Sequence, residues 1–290
     1  MAGSTWRALA VVGVGALVFA GVALAANSKS FADAGGDALS SPDLTVVSIT
    51  NDDAGVVTVR LTVANRSTLG DNEAVAVGLD TDQNPDTGSV YYGVEWELRL
   101  EGAAATVYQA APDGDFTRVS APVSYQASMS GGVATATFKA SDFGITSGFN
   151  VYALGFDNNW LDPAPDIRTV NYQLSSSTTP PVLQPDHRAP IDQAFRSTGT
   201  HGKLAQLLYL AMDGRGETSV AFVITKGKKV VKRLTVPLGD TSPLLPYVLR
   251  WNVPKKFKGK VLKGALRFCV TSADRAGNMS NKSCAALTIK

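Results

Sequence analysis

Apolar and polar residues alternate with period two along much of the chain. Val57, Val59, Leu61 and Val63 alternate with Thr58, Arg60 and Thr62. Val94, Trp96, Leu98 and Leu100 alternate with Glu95, Glu97, Arg99 and Glu101. This period predicts strands with one buried face and one wet face. Further strands are expected over 75–79, 105–109, 133–139 and 149–156. Later in the chain, Val220, Phe222 and Ile224 form one face, the Lys226-Gly227-Lys228-Lys229 run turns, and 230–236 returns. Tyr247, Leu249, Trp251 and Val253 make another such face. Asn51-Asp52-Asp53-Ala54-Gly55 reads as a turn between two runs. No helical period is sustained anywhere. Many short strands at even spacing predict an all-β chain of two β-sandwich domains.

Length and punctuation set the boundaries. The 290 residues suit two domains of ordinary size. Residues 1–25 read as a signal peptide. Arg7 supplies the positive start, Ala8 to Leu24 is an apolar run, and Ala23-Leu24-Ala25 is a cleavage site. The run is nearly long enough to span a bilayer, so an uncleaved anchor is the alternative. Either way, the remainder is expected outside the cytoplasm, secreted or at the cell envelope. The Ser175-Ser176-Ser177-Thr178-Thr179-Pro180-Pro181 run opens a linker over 175–185. It separates a module over 26–174 from one over 186–290.

Charge divides the chain at the same place. Residues 27–174 hold 19 acidic and 7 basic side chains, a net of −12, whereas 175–290 hold 6 and 19, a net of +13. The near-neutral total of +2 conceals an acidic module joined to a basic one. The basic clusters are Lys226–Lys229, Lys232-Arg233 and Lys255-Lys256-Phe257-Lys258-Gly259-Lys260. They read either as solvated turns or as a surface for an anionic cell-wall polymer or membrane. Nucleic acid is not expected for an exported chain.

Two cysteines are present, Cys269 and Cys284. Asp274-Arg275-Ala276-Gly277-Asn278 between them reads as a turn. If 266–273 and 283–289 are the arms of a hairpin, the two Cys face each other at a spacing that a disulfide bridges. A closed loop of this size stabilises by roughly 3 kcal/mol, and an oxidising compartment preserves it.

The strongest candidate for chemistry is Asp80-Thr81-Asp82-Gln83-Asn84-Pro85-Asp86-Thr87-Gly88. Asp80, Asp82, Asn84 and Asp86 place oxygen-bearing side chains at every second position, as a calcium loop requires. The start matches the EF-hand pattern. Pro85 then stands where the turn Gly belongs, and no Glu closes the loop. An ion-free turn rich in Asp and Asn is the alternative. Asp33, Asp37 and Asp43, and the stretch from Asp157 to Asp162, are further groups that could complete such a site. A structural calcium is therefore expected.

Aromatics divide into two kinds. Trp96 and Trp251 lie in phase with apolar neighbours and are expected in cores. Trp160 sits among Asn158, Asn159 and Asp162, a setting suited to stacking on a sugar ring. Tyr91 and Tyr92 are similar candidates. Glu95 and Glu97 share a strand face, about 7 Å apart, within the range of an inverting glycosidase pair. They alternate with core residues, and Arg99 continues their face, so no catalytic role is assigned. His187 and His201 lack an associated nucleophile, and no nucleotide, zinc or dinucleotide motif appears.

Two resemblances follow from these residues. Phe31-x-Asp33-x-x-Gly36-Asp37, Pro42-Asp43-Leu44, Ala64-Asn65-Arg66 and the Leu79–Gly88 loop make the first module similar to calcium-stabilised β-sandwich modules of secreted bacterial proteins, the family 9 carbohydrate-binding and DOMON-like group. That resemblance implies a structural calcium. It does not supply a mapped pair of sugar-binding aromatics. Asp186-x-x-Ala189-Pro190, Trp251-x-x-Pro254 and Ala273-Asp274-x-Ala276-Gly277-Asn278 make the second module resemble bacterial Ig-like or fibronectin type III-like domains, which implies a spacer or binding sandwich.

The expected function is therefore non-catalytic binding outside the cell, of carbohydrate or another surface ligand. A purely structural spacer is the alternative, and an enzyme of unrecognised type is a minor one.

Overall fold

The computed structural model describes residues 27–111, 115–166, 169–174, 185–241 and 246–290. The expected leader, and the linker over 175–184, lie outside these. Regular structure among the described residues is almost wholly strand, apart from one short 3-10 turn at Ala140–Phe143. No helix among them is long and apolar enough to cross a membrane.

Among the described residues, twelve strands form the first module. They are β1 (Asn27–Ala32), β2 (Leu44–Asn51), β3 (Val56–Val63), β4 (Ala74–Asp80), β5 (Trp96–Glu101), β6 (Ala104–Ala110), β7 (Phe116–Val119), β8 (Gln126–Ser130), β9 (Val133–Lys139), β10 (Gly148–Phe156), β11 (Leu161–Ala164) and β12 (Val170–Gln173). One sheet has the order β1-β2-β3-β9-β8, and the facing sheet runs β11-β10-β4-β5-β6-β7, with β12 also paired to β10. The alternation read in the sequence produces the layer between them. Val57, Val59, Leu61 and Val63 face Val75, Val77, Leu79, Leu98 and Leu100 there. Trp96, Phe138, Phe143 and Phe149 close one end with edge-to-face ring contacts.

β4 departs from simple alternation, since all seven of its residues are buried. Its outer face is covered too, by a smaller cluster of Ala76, Tyr92, Val94, Tyr152 and Leu154. Two buried faces leave no polar alternation to read.

Among the described residues, ten strands form the second module. They are β13 (Ile191–Ala194), β14 (Ser197–Gly199), β15 (Leu204–Met212), β16 (Glu217–Lys226), β17 (Lys229–Asp240), β18 (Tyr247–Asn252), β19 (Lys256–Phe257), β20 (Lys260–Val261), β21 (Gly264–Asp274) and β22 (Ser283–Ile289). β17-β16-β21-β22 make one layer, β13 and β18 flank β15 in the other, and the short β14 joins β22 to β15. The faces expected from the sequence meet here: Leu207 and Tyr209 of β15 oppose Val220, Phe222 and Ile224 of β16, with Trp251 beside them. The Tyr209 and Phe222 rings lie 4.9 Å apart, edge to face. β21 and β22 pair antiparallel with Cys269 directly opposite Cys284, and the two are joined by a disulfide. The expected hairpin and bridge are both present.

The modules touch through the Asp-rich loop. The His187 amide donates to Asp86 Oδ2 at 2.8 Å. The Arg188 guanidinium donates to the carbonyls of Asp86 (2.6 Å) and Ser89 (2.9 Å). Gly214 of the second module lies so close to Pro85 that a Cβ there would meet the Pro85 carbonyl oxygen at 2.8 Å.

Candidate functional site

The acidic loop is shaped before any ligand is considered. Gly88 and Gly93 both have left-handed backbone, and a side chain at Gly88 would strike the carbonyls of Gly93 and Val94 at 2.5 Å. Glycine is needed where the loop closes on itself.

The closed loop gathers Asp80, Asp82 and Glu95, whose carboxylate oxygens lie within 4.8 Å of one another. Asp80, at the end of β4, is 1% exposed. It accepts from Asn150 Nδ2 (2.8 Å) and the Asn84 amide (3.1 Å). Asp82 accepts from the Asn84 amide (2.9 Å) and the Thr87 hydroxyl (3.0 Å). Glu95 accepts from the Thr81 amide (2.7 Å) and the Thr87 hydroxyl (3.0 Å). Burial above all, and then the neighbouring carboxylates of Glu95 and Asp82, push Asp80 up to about 8. Glu95 is raised for the same leading reason.

Of the four residues singled out in this loop, two belong to the cluster. Asn84 spends its side-chain oxygen on the Asp86 amide at 3.1 Å. Asp86 turns toward the second module, where it accepts from His187. Glu95 completes the group from the next strand. It was legible only as an outward-facing position, because its approach to Asp80 depends on strand pairing.

A second cluster joins Asp33, Asp37 and Asp162, again within 4.8 Å. The two stretches proposed from the sequence therefore meet, but apart from Asp80. On β10, Asp80 pairs with Asn150 and Asp162 with Gly155, so about 17 Å of strand separates the clusters. Asp162 is 2% exposed and accepts from the Leu44 amide at 2.6 Å. Burial is the largest cause holding Asp33 at about 6 and Asp162 at about 7, with charge repulsion from Asp37 added in both. Asp33 Oδ2 is enclosed with no hydrogen-bonding partner. Asp43 stands beside this group and accepts from the Gly36 amide. Asp157 instead organises the neighbouring loop, accepting from Ser40, Asn159 and Trp160.

A third cluster, Asp186, Asp213 and Asp274, has an internal cation: Arg215 Nε lies 3.3 Å from Asp186 Oδ2. Among the described residues, neither of the other clusters has an ion pair. All-carboxylate donors and an unsatisfied enclosed oxygen fit a hard divalent cation such as calcium. Asp33, Asp37 and Asp162, or Asp80, Asp82 and Glu95, would hold it.

The sugar candidates fall in different settings. Trp160 is 50% exposed, with Asn158 and Asn159 exposed beside it. Tyr92 is 2% exposed and packs on Tyr152 at 5.7 Å, so its ring is unavailable to a ligand. Tyr91 stacks on Phe116 and lines a cleft of about 310 Å³ between the modules, with Phe156 and Leu161 on one side and Gln193 and Met212 on the other. In its wall lies an ion pair, on a strand face that the alternation predicts as wet. Glu97 is 3% exposed and bound to Arg99, whose guanidinium lies over the rings of Tyr108 (4.0 Å) and Phe156 (5.2 Å). Burial raises Glu97 and Arg99 opposes that rise. Glu97 and Glu95 thus serve separate sites. His201 Nδ1 lies 3.0 Å from the Lys290 carbonyl.

At the far end of the second module, a cleft of about 420 Å³ is lined by Lys226, Lys228, Lys229, Lys258 and Lys260, with Phe257 on its wall.

No known family's sequence profile matches the chain, and no curated protein matches it. Among solved structures it is similar to the fibronectin(III)-like modules of CbhA from Clostridium thermocellum, at 10% identity over 82% of this chain and 86% of that one, TM-score 0.25. It is also similar to a PKD domain of an M14-like peptidase from a Thermoplasmatales archaeon, at 14% identity over 35% of this chain and 92% of that one, TM-score 0.24. At these scores the all-β assignment rests on the strands described above.

Proposed function

We propose that this protein is a non-catalytic binding protein of the cell exterior. In this reading it holds a carbohydrate or other ring-bearing ligand between its modules, with calcium stabilising the acidic one. The observation that carries the reading is the cleft at the module junction. Its wall carries the rings of Tyr91, Phe116 and Phe156, the first two stacked and Arg99 over the third, with Gln193 also in the lining. Ring faces with a few fixed polar groups suit a sugar's apolar face and its hydroxyls. Glu97 is spent on Arg99 and Glu95 on Thr81 and Thr87, which leaves neither as a free acid or base.

A bound cation would fit the same reading structurally. It would neutralise carboxylates that the fold has buried together, and so fix the loops on which Tyr91 and Trp160 sit. Binding of an immobilised glycan panel by the wild type, Tyr91→Ala and Trp160→Ala tests the proposal. Loss of signal in Tyr91→Ala supports the cleft, and loss in Trp160→Ala moves the ligand to the exposed loop. No signal from any of the three proteins removes the sugar reading and leaves the structural spacer.

A further inference from the structure

We infer that the end of the second module is a binding track for a linear phosphate-bearing polymer, a function separate from the junction cleft. Two lysine-rich turns, about thirty positions apart in sequence, meet there. One is the β16–β17 turn with Lys226, Lys228 and Lys229, and the other is the β19–β20 turn with Lys258 and Lys260. Left-handed backbone at Gly227 and Gly259 keeps both turns tight. Lys226 Nζ donates to the Lys263 carbonyl at 2.8 Å, which holds the two turns side by side. Among the described residues, none of the five lysines has a carboxylate partner within salt-bridge distance, and no carboxylate lines the cleft. Five uncompensated charges around one concavity focus a positive potential into it.

Three features select the occupant. Lysines are point charges on flexible stems, suited to mobile phosphates rather than to one rigid planar anion. The charge does not end at this cleft: Lys232 and Arg250 line a second hollow of about 400 Å³. Lys232 lies three residues beyond Lys229 on β17, about 10 Å along the strand. Charge in two neighbouring hollows suits a polymer better than a single ion. The surface is also concave, and Leu262 at its floor is fully buried. A flat bilayer would meet the rim, where Val261 is half exposed, and would not fill the concavity.

The test measures binding of the full chain to a fluorescent glycerol-phosphate oligomer across a salt series. Inorganic phosphate and phosphatidylglycerol vesicles serve as separate competitors. The wild type is expected to bind the oligomer, with affinity falling steeply as salt rises. Lys228→Gln/Lys229→Gln/Lys258→Gln/Lys260→Gln should bind at least about tenfold more weakly and lower the log–log salt slope by about 3. Lys29→Gln/Lys282→Gln should match the wild type, and an unchanged melting curve shows that each variant is folded. Tyr91→Ala should leave oligomer binding intact, so this test and the glycan test fail independently. Equal binding by the quadruple variant overturns the proposal. Competition by inorganic phosphate at equal phosphate concentration reduces the track to a single-anion site and also overturns it. Vesicle binding without oligomer binding overturns it in favour of a membrane.

Discussion

The two modules carry opposite charge and handle it in opposite ways. The acidic module draws carboxylates inward: Asp80, Asp162 and Glu97 are all buried. The basic module keeps its lysines at the surface, on turns and strand ends and along β17, where the charged heads remain in water. Burying a charge is costly unless it is paired. The first module therefore needs protons, Arg99 or a cation to hold its acids, and each solution leaves a recognisable site. The second module buries fewer acids, Asp213 and Asp274 among them, answers them with Arg215 from within the cluster, and is also stapled by Cys269–Cys284.

Replacing Arg99 with Met should have the largest effect. It strands buried Glu97 and removes the guanidinium from the rings of Tyr108 and Phe156, costing about 3 kcal/mol or more. Denaturant titration should show the loss in the first module's transition only. Next is Cys269→Ser/Cys284→Ser, which should lower the second module's stability by roughly 3 kcal/mol and leave the first unchanged. Loss in both transitions would show that the modules unfold as one unit.

A smaller effect follows from pH. Asp33, Asp162 and Asp80 titrate at about 6, 7 and 8 in the fold, against about 4 in an unfolded chain. In chelator the folded form binds the extra protons between pH 4 and pH 8. The stability these groups add is therefore complete below pH 4 and is lost as pH rises through 6 to 8. The first module should melt progressively lower across that window. Calcium should cancel the decline above pH 7 and release protons on binding, which titration in two buffers of different ionisation enthalpy would measure. The smallest expected change is in Trp160→Ala, within about 0.5 kcal/mol of wild-type stability because the ring is half exposed.

Periodicity made most of the strands legible, and the turn around Gly277 made the disulfide legible, because both depend on local sequence and antiparallel register. The carboxylate clusters were only half legible. Asp80 and Asp82 share a loop, but Glu95 reaches them through β4–β5 pairing, and Asp86 is diverted by His187 from beyond the linker. Tyr92 looked like its neighbour Tyr91, yet its left-handed backbone turns the ring inward against Tyr152. Arg99 continued a polar face in the sequence. Its burial comes from Tyr108, Phe116 and Phe156, which lie on other strands.

The contrast between modules is tested most directly by calorimetric melting of the full chain at pH 7.5, in calcium and in chelator. With calcium at about 100 times its Kd, the acidic module's transition should rise by about 5 to 10 °C. The basic module's transition should stay in place, and Asp80→Asn/Asp162→Asn should abolish the rise. Identical melting curves in calcium and chelator would contradict the account.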